Sequence, residues 1–221
     1  MATPKLDFAD KYDPAHAQRY YERHRTGLRR RVTTWREAGM ARTALRIAGD
    51  PQSVLDIPCG TGRFWELLTE KKERRIYAAD LNLPMLQTGL RERPREITER
   101  IQGFQTSAFA ISLPDNFVEC VFCIRLLHHI GKSADRLVLL KELARVASSA
   151  VIVSLWIDGN YMAMRWRKRR GPLRDDMNLN RYVIPRDVIE TEFRQAGLRP
   201  VRRIDFLRFY AHAAMYVLRK D

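Results

Sequence analysis

The sequence contains no apolar run near the ~18 residues a membrane-spanning helix requires. Its longest, around residues 150–157, has the length of a buried strand. The segment from Met1 to Asp7 has no apolar stretch of the signal-peptide kind, so the cytoplasm is the expected compartment. Cysteine is scarce: Cys59, Cys120 and Cys123 are the full set, which excludes a disulfide scaffold and reads as reduced thiols. Eleven glycines and ten prolines in 221 residues leave no collagen-like period, and neither an internal repeat nor a low-complexity linker occurs. Acidic residues are also in short supply. Forty Lys and Arg stand against 26 Asp and Glu, a net charge of +14. Such a field attracts polyanions, whether nucleic acid, anionic membrane or phosphorylated substrate, without choosing among them.

What is present is an ordinary globular composition, 45% hydrophobic and 30% charged. A single core of this size buries ~70% of the surface its unfolded chain exposes, so no staple is needed. Asp13-Pro14 is a helix start, with Asp as N-cap and Pro in the first turn. The pattern predicts helices over about 14–25 and 31–47, the second closed by Gly49. Residues 1–50 hold eleven basic and six acidic residues and are expected to form a basic helical cap, followed by the main domain over 51–221. There, apolar runs predict strands over 54–57, 76–79, 104–107, 118–124 and 150–156, with helices over 61–69, from Pro84, and over 134–147. Strands separated by helices of 10–15 residues imply crossover units and a parallel sheet. The fifth strand is apolar except for Ser154, as a buried parallel strand should be. The last third differs: a helix over 185–196, then runs over 200–207 and 212–218 that read as an antiparallel hairpin.

The densest signal is Val54-Leu55-Asp56-Ile57-Pro58-Cys59-Gly60-Thr61-Gly62-Arg63-Phe64, a buried strand running into glycines and then a helix. Open α/β sheets bind nucleotides at such a place. Without Cβ atoms, Gly60 and Gly62 permit turn geometry and close backbone approach to a ligand. A dinucleotide fingerprint would need glycine at 58, 60 and 63, and Pro58 and Arg63 break it. The segment instead resembles the first motif of class I S-adenosylmethionine-dependent methyltransferases, with Pro58 standing where that family usually has its first glycine.

The resemblance continues along residues 52–157. Asp80, closing Tyr77-Ala78-Ala79-Asp80, lies 24 residues beyond Asp56, and a carboxylate there can accept both ribose hydroxyls of an adenosine. Ser107-Ala108-Phe109-Ala110 is similar to the family's adenine-side loop, with Ser107 where Asp is usual. Val121-Phe122-Cys123-Ile124-Arg125-Leu126-Leu127-His128-His129 looks like the fourth-strand segment of the subgroup that includes ubiquinone-type enzymes. The resemblance implies a three-layer, Rossmann-like α/β fold. Its sheet would have seven mostly parallel strands, a C-terminal antiparallel hairpin and an N-terminal helical cap. It implies an enzyme whose cofactor, S-adenosylmethionine, is bound by Asp56, Pro58, Cys59, Gly60, Thr61, Gly62, Arg63, Asp80, Leu81, Met85, Ser107, Ala108, Phe109 and Arg125.

Methyl transfer from a sulfonium needs in-line approach of a nucleophile, and a base only where the acceptor is protonated. His128 and His129 are the candidates for that base and are not separable here; the alternative is that they shape the cofactor loop. Arg125, after an apolar strand, either holds an anionic group or pairs with a nearby Asp. Cys120 and Cys123 have the spacing of half a zinc knuckle, but three residues apart on a strand they face opposite ways and no second pair exists, so no metal is expected. Residues 157–184 form a basic insertion in which Tyr161, Arg165, Trp166 and Arg167 are candidates for binding the acceptor, against the plainer reading of a solvated charged loop. The tetrapeptide of amino-group nucleic-acid methyltransferases and the Pro-Cys pair of cytosine-C5 enzymes are absent. The expected acceptor is therefore an anionic small molecule, lipid or glycolipid, handled near an anionic membrane surface. The alternatives are RNA, or a non-catalytic cofactor-binding scaffold.

Overall fold

The computed structural model describes residues 14–25, 28–170 and 181–221; within its helices, the side chains of residues 14, 23–25, 28–31, 166, 167, 169 and 170 lie outside that description. Helices α1 (Pro14–Arg25) and α2 (Leu28–Ile47) precede β1 (Ser53–Asp56), α3 (Trp65–Thr69), β2 (Arg75–Asp80), α4 (Leu83–Glu92), α5 (Arg95–Thr98) and β3 (Ile101–Gln105). Next come β4 (Val118–Cys123), a 3-10 turn at Leu127–His129, α6 (Ser133–Val146), β5 (Ala147–Ile157) and α7 (Tyr161–Arg170). The chain ends with β6 (Val183–Ile184), α8 (Arg186–Gln195), β7 (Leu198–Asp205) and β8 (Ala213–Lys220).

The main sheet has seven strands in the order β3-β2-β1-β4-β5-β8-β7, with the short β6 pairing β5 off this path. The first five in that order run parallel, while β8 is antiparallel to both β5 and β7. The strand order reverses direction at β1, between β2 and β4, which opens a crevice beyond their carboxyl ends. Alternation on the strands builds two apolar layers. Leu55, Val121, Cys123, Val151 and Val153 face α6 and α8, while Val54, Cys120, Phe122, Ala150 and Ile152 face α2 and α3. Cys120 and Cys123 thus lie in opposite layers, both fully buried.

Several element bounds differ from expectation, and three of the differences have local reasons. The helix after the glycine turn begins at Trp65 rather than residue 61, because Gly60 and Gly62 both take positive φ (55° and 71°) and no α-helix can run through them. The third strand covers Ile101–Gln105 rather than 104–107; it is a half-exposed edge strand whose only buried residue is Ile101, so its apolar signal is weak. The basic insertion, for which no helix was expected, carries one, α7, started by Asn160, whose Oδ1 accepts from the N–H of Ala163 at 2.9 Å.

The front helices grip the sheet at both ends of its carboxyl edge. Tyr21 of α1 donates its hydroxyl to the carbonyl of Glu92 on α4, 2.9 Å away. Met40, Ala41, Ala44 and Leu45 of α2 join the apolar layer beneath β8. Arg36 ties α2 to the β7–β8 turn by donating Nε to the carbonyl of Phe206 (2.9 Å) and Nη2 to that of Asp205 (3.1 Å).

Candidate active site

The loop after β1 is built by backbone hydrogen bonds that need its glycines. Ile57 donates to the carbonyl of Phe122 on β4, Cys59 to that of Ala79 on β2, and Gly62 to that of Cys59. The Ile57-Pro58 peptide is cis. A Cβ on Gly62 would meet the Trp65 ring at 2.4 Å, so glycine is required there by packing as well as by φ. Gly60 instead faces open space, its nearest neighbour in that direction being the Met85 Cε at 3.7 Å.

Two carboxylates flank this loop. Asp80 accepts from the N–H of Gly60 at 2.8 Å through Oδ2 and from that of Asn82 at 2.9 Å through Oδ1, so the same side chain shapes the glycine turn and the turn after β2. Burial raises its pKa, and the surrounding backbone N–H groups pull it back. Asp56 is buried, and its Oδ2 has no hydrogen-bond partner. Burial pushes its carboxyl well above the usual range, Asp80 adds to the rise, and the Trp65 indole opposes it. A buried oxygen left without a donor leaves a place for a ligand N–H, such as an ammonium group.

The structure brings nearly all the cofactor candidates to one edge. Pro58, Cys59, Thr61 and Arg63 follow β1. Leu81 and Met85 follow β2, one exposed and the other buried. Ser107, Ala108 and Phe109 follow β3, where the Ser107 hydroxyl accepts from the N–H of Phe109 at 3.2 Å and folds the loop upon itself. The Cys59 thiol is held well above its ordinary pKa by burial, with Asp80 and Asp56 adding to the shift, which leaves it unreactive.

Arg125 corrects its sequence reading. It is about one-third exposed and pairs not with an aspartate but with Glu37 of α2, Nη1 to Oε1, at 3.5 Å. Its φ of 68° is unusual for a non-glycine residue and is held by its N–H donating to Ser154 Oγ at 2.8 Å. Ser154, the polar residue within the apolar run of the fifth strand, therefore has a task. Glu37 also pairs with Arg63, which donates to Thr34 Oγ1 at 3.1 Å, while Arg63 Nε and Nη1 are buried without a hydrogen-bond partner. Two arginines thus share one carboxylate beside the glycine loop. Sequence reasoning missed Glu37: its partners lie 26 and 88 positions away, and nothing in its helix marks it.

The two histidines separate. His128 is buried and stacks on Trp156 at 5.1 Å between centroids, its pKa held well below the usual range by burial and by its cationic neighbours. His129 is only half-buried, its ring 4.3 Å from that of His128. Trp156 also meets His212 at 4.0 Å and the Arg181 guanidinium at 5.3 Å. Tyr182 donates its N–H to the carbonyl of His128 at 2.7 Å, and its ring lies where a Cβ on Gly131 would come within 2.6 Å. Of the acceptor candidates, Tyr161 and Arg165 are exposed on α7; the side chains of Trp166 and Arg167 lie outside the described residues. α7 is docked on the β7–β8 turn by N–H donation from Tyr161 and Met162 to the carbonyls of Phe209 and Tyr210, both at 2.9 Å, and the Tyr161 and Tyr210 rings stack.

A parallel sheet with this order, a glycine loop at the strand-order reversal and an acidic residue closing the second strand are those of a Rossmann-like α/β fold with its ligand crevice at the carboxyl edge. Residues 55–154 match a family model described as a methyltransferase domain. Among solved structures, magnesium protoporphyrin IX methyltransferase from Synechocystis PCC 6803 with bound SAH shares the fold. It shows a TM-score of 0.75 at 13% identity over 96% of this chain and 98% of that one. A SAM dependent methyltransferase from Aquifex aeolicus shows a TM-score of 0.65 at 18% identity over 95% of this chain and 100% of that one. No curated protein matches the chain in sequence.

Proposed function

We propose that the protein transfers a methyl group from S-adenosylmethionine to an anionic small-molecule, lipid or glycolipid acceptor, and that residues 1–50 act as a cap over the cofactor. The observation that carries the cofactor assignment is the orphaned Asp56 Oδ2 beside Gly60, Gly62 and the Asp80 carboxylate. Bound there, the cofactor supplies a methyl group already activated on a sulfonium.

This chain's own residues then have distinct tasks. Asp80 accepts the ribose hydroxyls with lone pairs not used by Gly60 and Asn82. Asp56 accepts from the cofactor's ammonium, which stabilises its carboxylate and reverses the effect of burial. Arg63 and Arg125, which share one carboxylate in Glu37, have donors left for the cofactor's own carboxylate. Leu81, Met85, Ala108 and Phe109 supply apolar walls around the adenosine, with Ser107 at the adenine edge. The loop and walls hold the sulfonium in line with the acceptor and exclude water. Where the acceptor is a hydroxyl or a protonated amine, its proton passes to the half-buried His129. His128, stacked and held neutral, orients the turn that carries it. Tyr161, Arg165, Trp166 and Arg167 on the basic helix past β5 attract the acceptor.

The test is a radiolabel transfer from methyl-labelled S-adenosylmethionine into a lysate separated into lipid, small-molecule, RNA and protein fractions. Label in the lipid or small-molecule fraction, lost with Asp80→Ala, is the expected result. Label in RNA alone would overturn the acceptor assignment, and cofactor binding without label in any fraction would make the protein a scaffold.

A further inference from the structure

Among the described residues, Phe209 combines a positive φ with a large exposed apolar side chain. It sits in the β7–β8 turn with φ of 62°, a region costly for a bulky side chain. Its ring is nonetheless 72% exposed. A strained backbone carrying an exposed aromatic has no interior packing to offset either cost, and such outliers mark function. The ring is covered only by a cation, the Arg208 guanidinium, 4.7 Å from its centroid.

Other exposed apolar groups adjoin it. Leu207 and Tyr210 flank it in the turn and are half-exposed, as are Tyr161 and Met164 one helical turn apart on α7, which is hydrogen-bonded to the same turn. On α2, anchored to this turn through Arg36, Trp35 is 73% exposed. The exposed charge on α7 and in the turn is basic: Arg165 and Lys168 stand on the helix and Arg208 in the turn, and the sequence of α7 has no acidic residue. Aromatics with a polar tip beside lysine and arginine suit the interface of an anionic bilayer, where the rings sit at headgroup depth and the cations meet lipid phosphates.

We infer that the β7–β8 turn and α7, with the exposed Trp35 on the helix that Arg36 ties to this turn, form a docking surface for an anionic membrane. It deepens the proposed function by placing the bilayer beside the acceptor side of the site, but it stands on surface chemistry and does not require methyl transfer. Aromatic insertion supplies attachment, and the basic helix supplies the preference for anionic lipid. The bilayer contact also accounts for a phenylalanine held at positive φ in water.

The test is flotation of the full chain with phosphatidylcholine vesicles, with and without phosphatidylglycerol, at low and high salt. We expect flotation with the anionic vesicles only, weakened by salt as screening shortens the reach of the cations. The double variant Trp35→Ser, Phe209→Gly should lose flotation several-fold; the glycine suits the positive φ, so the turn keeps its shape. Arg208→Gln with Lys168→Gln should lose it likewise. All variants should bind S-adenosylmethionine as the parent does, which reports an intact fold. No flotation, or undiminished flotation of the aromatic variant, overturns the inference. So does a dimer in sedimentation velocity that the aromatic variant abolishes while no vesicle binds, for the surface would then be covered by a second copy. Because flotation is read without an acceptor, its failure leaves the label-transfer result standing, and the reverse also holds.

Discussion

Arginine is used in two opposite ways on the two sides of the carboxyl edge. Beside the glycine loop, Arg63 is nearly buried and held by Glu37 and Thr34, with its remaining donors shut away from solvent. Past β5, Arg208 lies over an exposed ring and Arg165 stands in water. The first arrangement suits a ligand of fixed shape, because charges in a low-dielectric site are strong and directional. The second suits a partner of variable shape, recruited through charge and apolar area. The side proposed for the cofactor, built from inside, and the side proposed for the acceptor, built outward, should therefore respond to mutation differently.

The sharpest way to break this contrast is to remove the shared carboxylate. Glu37→Gln leaves Arg63 largely buried without a counter-ion and should cost about 3 kcal/mol, the lower end for a broken buried pair because both side chains keep slight exposure. Urea unfolding of wild type and variant measures it, and a loss near zero would mean the pair belongs with the surface type. Next is Asp80→Ala, which removes an acceptor from Gly60 as well as from the ribose. Charged hydrogen bonds of ~1.5–3 kcal/mol correspond to roughly tenfold to a hundredfold weaker binding. Calorimetry with S-adenosylmethionine reads it, and an unchanged dissociation constant would refute the ribose role.

A pH titration sharpens the comparison further. His212, packed on Trp156, has its pKa lowered from 6.5 to about 4 by burial, and by Arg181. The unfolded chain takes up the proton first as pH falls, so the stability tied to neutral His212 is present above about 6.5 and is lost on acidification towards 4. Asp56 and Asp80, whose pKa values burial raises in the folded state, pull the other way on acidification. The difference between wild type and His212→Gln isolates the histidine: it should move against wild type from pH 7 to pH 4, and a constant difference would show that the imidazole does not titrate as described. The smallest effect belongs to the outer charges. Replacing Arg165 and Lys168 by Gln should raise the KM for the acceptor by up to about fivefold, the scale of exposed charges, while leaving the cofactor constant unchanged. A matching change in cofactor affinity would erase the distinction between the two sides.

The legibility of the sequence follows the same divide. The central parallel strands and crossover helices were readable because β1, β4 and β5 are buried on both faces and their apolar signal is local, and the antiparallel hairpin was readable from its short connection. The edge strand was misplaced by three residues because an edge presents little apolar area. The helix after the glycine loop was begun too early because the pattern of apolar residues does not report φ, which Gly60 and Gly62 take positive. Ser154 stood out in an apolar strand, but its partner, the strained N–H of Arg125, could only be found in three dimensions.

The sequence by itself determined the class of chemistry. A strand, two alternate glycines and a carboxylate closing the next strand are short-range features, and the backbone geometry they impose is the same wherever the chain lies. Tertiary structure alone decided which charges meet. Glu37 reaches Arg63 and Arg125 only because α2 packs across the carboxyl edge, and His128 is distinguished from His129 only by the Trp156 ring placed against it. It alone decided too that Tyr161 of α7 meets the turn that carries Phe209. Burial and pairing depend on neighbours distant along the chain, and no local pattern of residues encodes them.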